Sequence, residues 1–167
     1  GKEVSIKSPN DAFDLGIGMV HQHFQLVHNF TVAENIILGK EGGFVYDIKS
    51  ASKKIKEISK RYGLEIEPDM VIEDITVGMQ QRVEILKTLY SDSDIIILDE
   101  HTAVLTPQEI DELMEIIRTL KKEGKTIVII THKLKEIMAV ADRCTVLRRG
   151  KYIGTIDITP ETNEQEL

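Results

Sequence analysis

The sequence has almost no cysteine, no long apolar run and no excess of positive charge. Its single cysteine, Cys144, excludes an intrachain disulfide and fits a reducing, cytosolic setting. No apolar stretch reaches the roughly 20 residues that a membrane-spanning helix needs, and the start "GKEVSIKSPN" lacks the apolar core of a signal peptide. We therefore expect any association with a membrane to go through a partner protein.

The net charge also limits the class of partner. It is -7 at pH 7, and the isoelectric point is about 5.3. Proteins that coat nucleic acid hold its phosphates with clustered lysine and arginine, so we expect no nucleic-acid partner. With 41% hydrophobic residues in a chain of 167, the sequence can bury a sizeable core in one compact domain.

Two apolar runs rich in β-branched residues predict buried strands at 94–98 and 126–131. Neither run alternates with polar residues, which is typical of strands covered on both faces of a parallel sheet. Between them, Thr106 is a predicted N-cap, followed by Pro107 in the first turn and Glu109 at the third position of a capping box. The pattern predicts a strand, a crossover helix and a parallel strand, which is an α/β unit.

The middle of the chain predicts helices. No segment between Thr31 and Tyr90 has a convincing strand pattern, whereas apolar residues recur at helical spacing in "DIKSASKKIKEISKRYG" and "QQRVEILKTLY". After Ala141 the pattern returns to β, and "RRGK" predicts the turn of a hairpin.

Polar side chains follow both predicted buried strands. Asp99 and Glu100 come after the first strand, and Thr131 and His132 come after the second. Ligands of open parallel sheets bind beyond the carboxyl ends of the strands, so we expect these groups to meet. Asp99 suits Mg²⁺, Glu100 could orient or deprotonate a water, and His132 could contact a phosphoryl oxygen. For either carboxylate alone, a helix cap or surface turn explains the pattern equally well.

The start of the helix after residue 76 offers a second polar location. Thr76 and Gly78 stand where free backbone N–H groups and the positive end of the helix dipole favour an anion. Threonine and glycine before a helix are also a common cap. On its own, this pattern favours a structural role.

Taken in order, these stretches resemble the ATP-binding cassette of ABC transporters, in the branch that imports simple sugars and nucleosides. "GIGMVHQHFQLVHNFTVAENI" is similar to the Q-loop, with Gln22 as the glutamine that senses magnesium and couples to the membrane partner. "SDIIILDE" resembles the Walker B strand, and "IITHKLKEI" resembles the switch region. The resemblance implies that Gln22, Glu100 and His132 are catalytic residues and that Asp99 and Gln22 are the Mg²⁺ ligands.

Two further stretches resemble motifs that face a second cassette. "ITVGMQQRVEI" is similar to the signature motif, and the nucleotide-binding residues that this implies, acting in trans, are Thr76, Val77, Gly78, Met79 and Gln80. "TAVLTPQE" is similar to the D-loop, which comprises Ala103, Val104, Leu105 and Thr106. Three features depart from the family pattern: His101 replaces a proline, Thr106 replaces an aspartate, and Val77 and Met79 replace glycine and glutamine. We expect His101 to be a packing residue.

The resemblance implies a fold, domains and a function. The fold is α/β, with a partial P-loop NTPase core of parallel strands at 1–29 and 92–158, an α-helical subdomain at 30–91 and a polar tail at 159–167. The parent protein would bind ATP with Mg²⁺, pair with a second cassette, and drive a transmembrane permease for sugars or nucleosides from the cytoplasmic face of the plasma membrane. The alternatives are a non-catalytic helical module that docks to a permease, or a DNA-repair-type ATPase head.

The sequence lacks a phosphate-binding loop of the form G-x-x-x-x-G-K-[ST]. The nearest match is "GKT" at 124–126, which has Thr119 where glycine is required and which opens a predicted strand. In the family that the chain resembles, this loop lies upstream of the point where "GKEVSIKSP" begins. We therefore expect a cassette without its first third, inactive on its own.

Overall fold

The computed structural model describes residues 3–38 and 47–163, and its centre is a parallel sheet. The three strands are β1 (Ile17–Val20), β2 (Ile95–Asp99) and β3 (Thr126–Ile130), in the spatial order β1-β2-β3. Val20 lies opposite Leu98, and Asp99 lies opposite Ile130, so the carboxyl ends of all three strands meet at one edge. The predicted parallel α/β unit is confirmed.

Helices pack against this sheet and fill the middle of the chain. They are α1 (Pro9–Asp14), α2 (Val32–Ile37), α3 (Ile48–Tyr62), α4 (Val77–Tyr90), α5 (Pro107–Lys122) and α6 (Leu134–Val140), with a short 3-10 helix at Ile72–Asp74. Within the described part of 31–90, the only β pairing is an isolated bridge between Thr31 and Val71. The helical middle segment is confirmed over these residues. Positions 39–46, which fall inside the predicted subdomain, lie outside the described residues.

The crossover helix α5 begins at the predicted capping box. The Thr106 hydroxyl accepts from the N–H of Glu109 at 3.3 Å, and Glu109 Oε2 accepts from the N–H of Thr106 at 2.9 Å. These two bonds satisfy donors that the first helical turn leaves unpaired. The buried face of the helix consists of Leu113, Met114, Ile116, Ile117 and Leu120. This face packs α5 on the core and fixes the position of the loop before it.

One hydrophobic cluster joins the sheet to the helical segment. Val20 and Leu98 of the sheet belong to the same buried cluster as Ile55 of α3 and Leu86 of α4, and all are at most 1% exposed. Gly18 makes the contact close, because a Cβ there would lie 2.9 Å from Cβ of Thr88 in α4. The two segments therefore share a core, and the proposed domain boundaries stay a prediction.

The prediction that both apolar strands are covered on both faces is wrong for β3. Ile127 and Ile129 pack against the core, whereas Val128 and Ile130 are 43% and 48% exposed. The β-branched run made the strand look buried on both sides. Among the described residues, however, the core covers only one face of β3.

The end of the described chain forms the predicted hairpin. Strand β4 (Arg143–Arg148) pairs antiparallel with β5 (Lys151–Asp157). Arg149 and Gly150 both have positive φ, at 51° and 72°, as a two-residue type I′ turn requires. The predicted polar tail at 159–167 stays a prediction, and its residues 164–167 lie outside the described part. No helix in 3–38 and 47–163 has the length and apolar character needed to cross a bilayer.

Candidate functional site

Three polar side chains meet at the carboxyl edge of the sheet. Gln22 Nε2 donates to Glu100 Oε2 at 3.1 Å, and His132 Nδ1 lies 3.6 Å from Glu100 Oε1. Gln22 follows β1, Glu100 follows β2, and His132 follows β3. The parallel register therefore brings together residues that are far apart in the sequence. Glu100 lies at the centre of the group, as the strand-end argument predicts.

The backbone of Glu100 is in an uncommon conformation. Its φ of 41° lies in the left-handed region, which non-glycine residues rarely adopt. The N–H of Glu100 donates to the carbonyl of Ile130 at 2.9 Å, so β3 holds the residue in place. Strained backbone of this kind concentrates at functional sites. Here it aims the Glu100 carboxylate at Gln22 and His132.

The donor atoms at this edge fit a magnesium ion that arrives with phosphate. Asp99 is the last residue of β2 and is half-buried next to Glu100. Because Gln22 uses its Nε2 to bind Glu100, its amide oxygen remains an acceptor. Within the described ranges, no group of three or more His, Cys, Asp or Glu side chains could hold a metal. Mg²⁺ typically takes one or two protein oxygens and completes its shell with water and phosphate, which matches this sparse set.

A buried carboxylate lies beneath the edge. Glu136 of α6 is 3% exposed, and it accepts from the hydroxyls of Thr102 and Thr131, the latter at 2.9 Å. Lys133 Nζ lies 3.5 Å from Glu136 and donates to the Thr102 carbonyl at 3.0 Å. This cluster links the segment after β2 to the segment after β3. It therefore holds the backbone on both sides of His132.

Sequence reasoning identified Thr131 but missed the rest of this cluster. Lys133 and Glu136 look like ordinary surface charges of a short helix, and nothing in their spacing indicates burial. The available signal was a threonine shortly after each strand, Thr102 after β2 and Thr131 after β3, since buried hydroxyls need a partner.

His101 is buried at 2% exposure, in agreement with the packing role expected for it. Burial lowers its pKa to about 4, because the imidazolium would lose its hydration. Glu136 opposes this shift in the pKa of His101, and Lys133 adds to it. Both ring nitrogens are buried, and neither makes a hydrogen bond of ordinary geometry. His101 is therefore a neutral residue of the interior.

This histidine predicts a loss of stability in acid. The unfolded chain takes up a proton near the ordinary histidine pKa of 6.5, whereas the folded chain takes it up only near 4. Above pH 6.5, His101 therefore costs the folded state no stability. As the pH drops toward 4, it lowers the free energy of unfolding by about 3 kcal/mol over the whole window. Chemical denaturation at pH 7 and pH 4.5 should show this loss. A His101→Leu variant should lose less between the two values, and an equal loss would contradict the prediction.

The predicted signature residues lie at the start of α4. Thr76 is the N-cap, and its hydroxyl accepts from the N–H of Met79 at 3.2 Å. The Met79 side chain packs against the core, and the Gln80 amide donates to the carbonyls of Ile72 and Ile75. Thr76 and Val77 are exposed, while Gly78 is buried. Contacts to a ligand at this helix start would therefore come from Thr76, Val77 and backbone groups.

The predicted D-loop runs from β2 to the cap of α5. Ala103 and Val104 are exposed, and Val104 has 63% of its surface in solvent. Leu105 packs against the core, and Thr106 caps α5. The two exposed residues form the protruding part of this loop.

The fold and the strand-edge residues define an α/β protein whose geometry suits phosphate chemistry with a metal ion. The ABC transporter family model matches residues 1–103, and the chain belongs to this family. The recognition from sequence is confirmed at that level. The interpretation that the chain lacks a P-loop segment stays a prediction.

Several curated relatives of this chain are named as import ATP-binding proteins. The nucleoside import ATP-binding protein NupA of Lactococcus lactis is 63% identical over 167 residues, which cover 99% of this chain and 33% of that protein. The guanosine import ATP-binding protein NupO of Bacillus subtilis is 62% identical over 170 residues, covering 100% and 33%. A ribose import ATP-binding protein of Rubrobacter xylanophilus is 42% identical, covering 100% and 34%. The chain spans about a third of the length of these relatives, which favour the importer interpretation over the two alternatives.

Solved structures agree on the fold. The ADP conformation of an ATP-binding cassette of an ABC transporter matches with a TM-score of 0.80 at 22% identity, covering 93% of this chain and 66% of that chain. A dimeric post-hydrolysis cassette bound to ADP and phosphate matches with a TM-score of 0.73 at 24% identity, covering 92% and 68%. Together with the parallel sheet and its helices, these likenesses confirm the predicted fold class.

Proposed function

We propose that this chain is part of the ATP-hydrolysing subunit of an ABC importer for nucleosides. The observation that carries the proposal is the Glu100 carboxylate, held between Gln22 and His132 at the carboxyl edge of a parallel sheet. Nucleosides are favoured over sugars because the relatives named for nucleoside or guanosine import are 62–63% identical, against 42% for the ribose relative.

Each strand-edge residue has a role in this proposal. Glu100 accepts a proton from the attacking water, and Gln22 orients that water through its contact with Glu100. His132 donates a hydrogen bond to a phosphoryl oxygen. Asp99 and the Gln22 amide oxygen would hold Mg²⁺, which supplies charge neutralisation for the phosphoryl group when ATP is bound.

A second cassette completes the proposal. The start of α4 would face the nucleotide held by the partner cassette, with Thr76, Val77 and backbone N–H groups in contact with its phosphates. The exposed part of the D-loop, Ala103 and Val104, would lie against the same partner. The dimeric structure bound to ADP and phosphate supports this pairing, since it shows two cassettes of this fold together.

The permease is the remaining partner. Gln22 lies on an exposed segment after β1, next to the hydrolytic carboxylate. A membrane partner that moves this segment would change the position of Gln22 relative to Glu100. We therefore propose a peripheral location on the cytoplasmic face of the plasma membrane, through the permease.

Uptake by the complete transporter tests the function. Proteoliposomes with the full-length parent subunit, its permease and internal Mg-ATP should accumulate labelled guanosine, and unlabelled ribose should not compete. Changing Gln22 to Ala should lower uptake, because this residue links the permease to Glu100. Accumulation of ribose without guanosine would contradict the substrate class, and the absence of ATP-dependent uptake of either would contradict import.

A further inference from the structure

The first turn of α4 is already in contact with an anion, which comes from α5. The Glu109 carboxylate lies against Gly78, so a Cβ on Gly78 would be 2.7 Å from Glu109 Cδ and closer still to Oε1. Real Cβ atoms do not approach other atoms this closely. The absence of a side chain at Gly78 is therefore what admits the carboxylate of Glu109 to this helix start.

The two oxygens of Glu109 contact different helices. Oε2 accepts from the N–H and the hydroxyl of Thr106, both at 2.9 Å, and completes the cap of α5. Oε1 is the oxygen nearest to Gly78 of α4. Hydrogen bonds from the backbone and side chain of Thr106, and then from Gly78 and Thr76, lower the pKa of Glu109. The carboxylate is therefore an ionised link between the predicted signature and the predicted D-loop.

A helix start favours an anion because its free N–H groups and dipole are positive. In this chain, the Glu109 carboxylate is the anion at the start of α4. A phosphate that approaches Gly78 would meet a like charge at short range, and the two anions repel each other. The carboxylate must therefore move before a phosphate can make the same contacts.

We propose that Glu109 competes with nucleotide phosphate for the start of α4. The ATP of the partner cassette would displace the carboxylate from Gly78 as the two cassettes close, and Glu109 thereby sets the ATP concentration at which closure occurs. Because Thr106 binds the same carboxylate, arrival of the phosphate is transmitted to the D-loop. This inference rests on the proposed function of the signature residues.

The test is a Glu109→Gln variant of the full-length parent subunit in its transporter. Glutamine is accepted at this position of a capping box, so α5 keeps its cap while the negative charge is removed. We expect the ATP concentration for half-maximal hydrolysis to fall by about twofold to fivefold, which is the usual weight of one charge at a helix end. The matched control is Glu115→Gln, which removes the same charge from an exposed position of α5 and should leave that concentration unchanged.

A second variant keeps the inference testable if glutamine disturbs the fold. Glu109→Asp retains the charge and can still cap α5, as Asp11 does for α1, but it withdraws the carboxylate from Gly78. The Glu109→Asp variant should therefore also lower the ATP concentration for half-maximal hydrolysis. If the wild type is active but both Glu109 variants need an unchanged or higher ATP concentration for half-maximal hydrolysis, this inference is overturned and the proposed function is not. An intact wild-type transporter that does not hydrolyse ATP would overturn the proposed function as well.

Discussion

Replacing Glu100 with glutamine in the full-length parent protein is expected to lower ATP turnover by about 10² to 10⁴, with ATP binding retained. Glutamine has the same shape and can still accept the hydrogen bond from Gln22. It cannot take a proton from water, however, so only the chemical step loses its base. The measurement is steady-state hydrolysis together with equilibrium binding of a fluorescent ATP analogue.

The control for this variant is Glu123→Gln. Glu123 forms an ion pair with Arg61 on the surface and lies at the end of α5. Its replacement changes the net charge equally and should leave turnover within about twofold, since surface pairs contribute little. Turnover of the Glu100 variant within the same range would show that another group acts as the base.

The second large effect is expected for His132→Ala, which should lower turnover by about 10² to 10³. That is the usual loss when one donor to a transition-state oxygen is removed. The His132 side chain is 73% exposed, so its truncation should hardly change the free energy of unfolding. Hydrolysis rates and thermal unfolding of the same variant separate the two effects. His28→Ala, at another exposed histidine, should change neither.

The two strand-edge variants should not act independently. His132 Nδ1 and Glu100 Oε1 are 3.6 Å apart, and side chains in contact give non-additive effects. The double variant should therefore lose less activity than the product of the two single losses. Strictly multiplicative losses would show that the two residues act on separate steps.

Local patterns allowed much of the fold to be predicted from the sequence. The capping box at Thr106 and Glu109, the strand before Asp99 and the turn at Gly150 depend on residues close together in the chain. The edge where Glu100 and His132 meet was also predictable, because parallel strands place their carboxyl ends together.

Contacts between distant elements were beyond such reasoning. The Glu136 cluster and the approach of Glu109 to Gly78 depend on how α6 and α5 pack, which no short pattern encodes. Glu109 was identified only as a capping residue, and its second oxygen had no predicted partner. The exposed face of β3 was missed for a related reason, because β-branched residues such as Val128 indicate a strand and do not reveal what covers it.

The most direct test of the central claim is an experimental structure of the full-length parent with Mg²⁺ and a non-hydrolysable ATP analogue. In that structure we expect Glu100 to face the attacking water, His132 to contact the γ-phosphate, and Asp99 to lie beside the magnesium. A structure in which these three side chains lie apart from one another and away from the γ-phosphate would contradict the central claim.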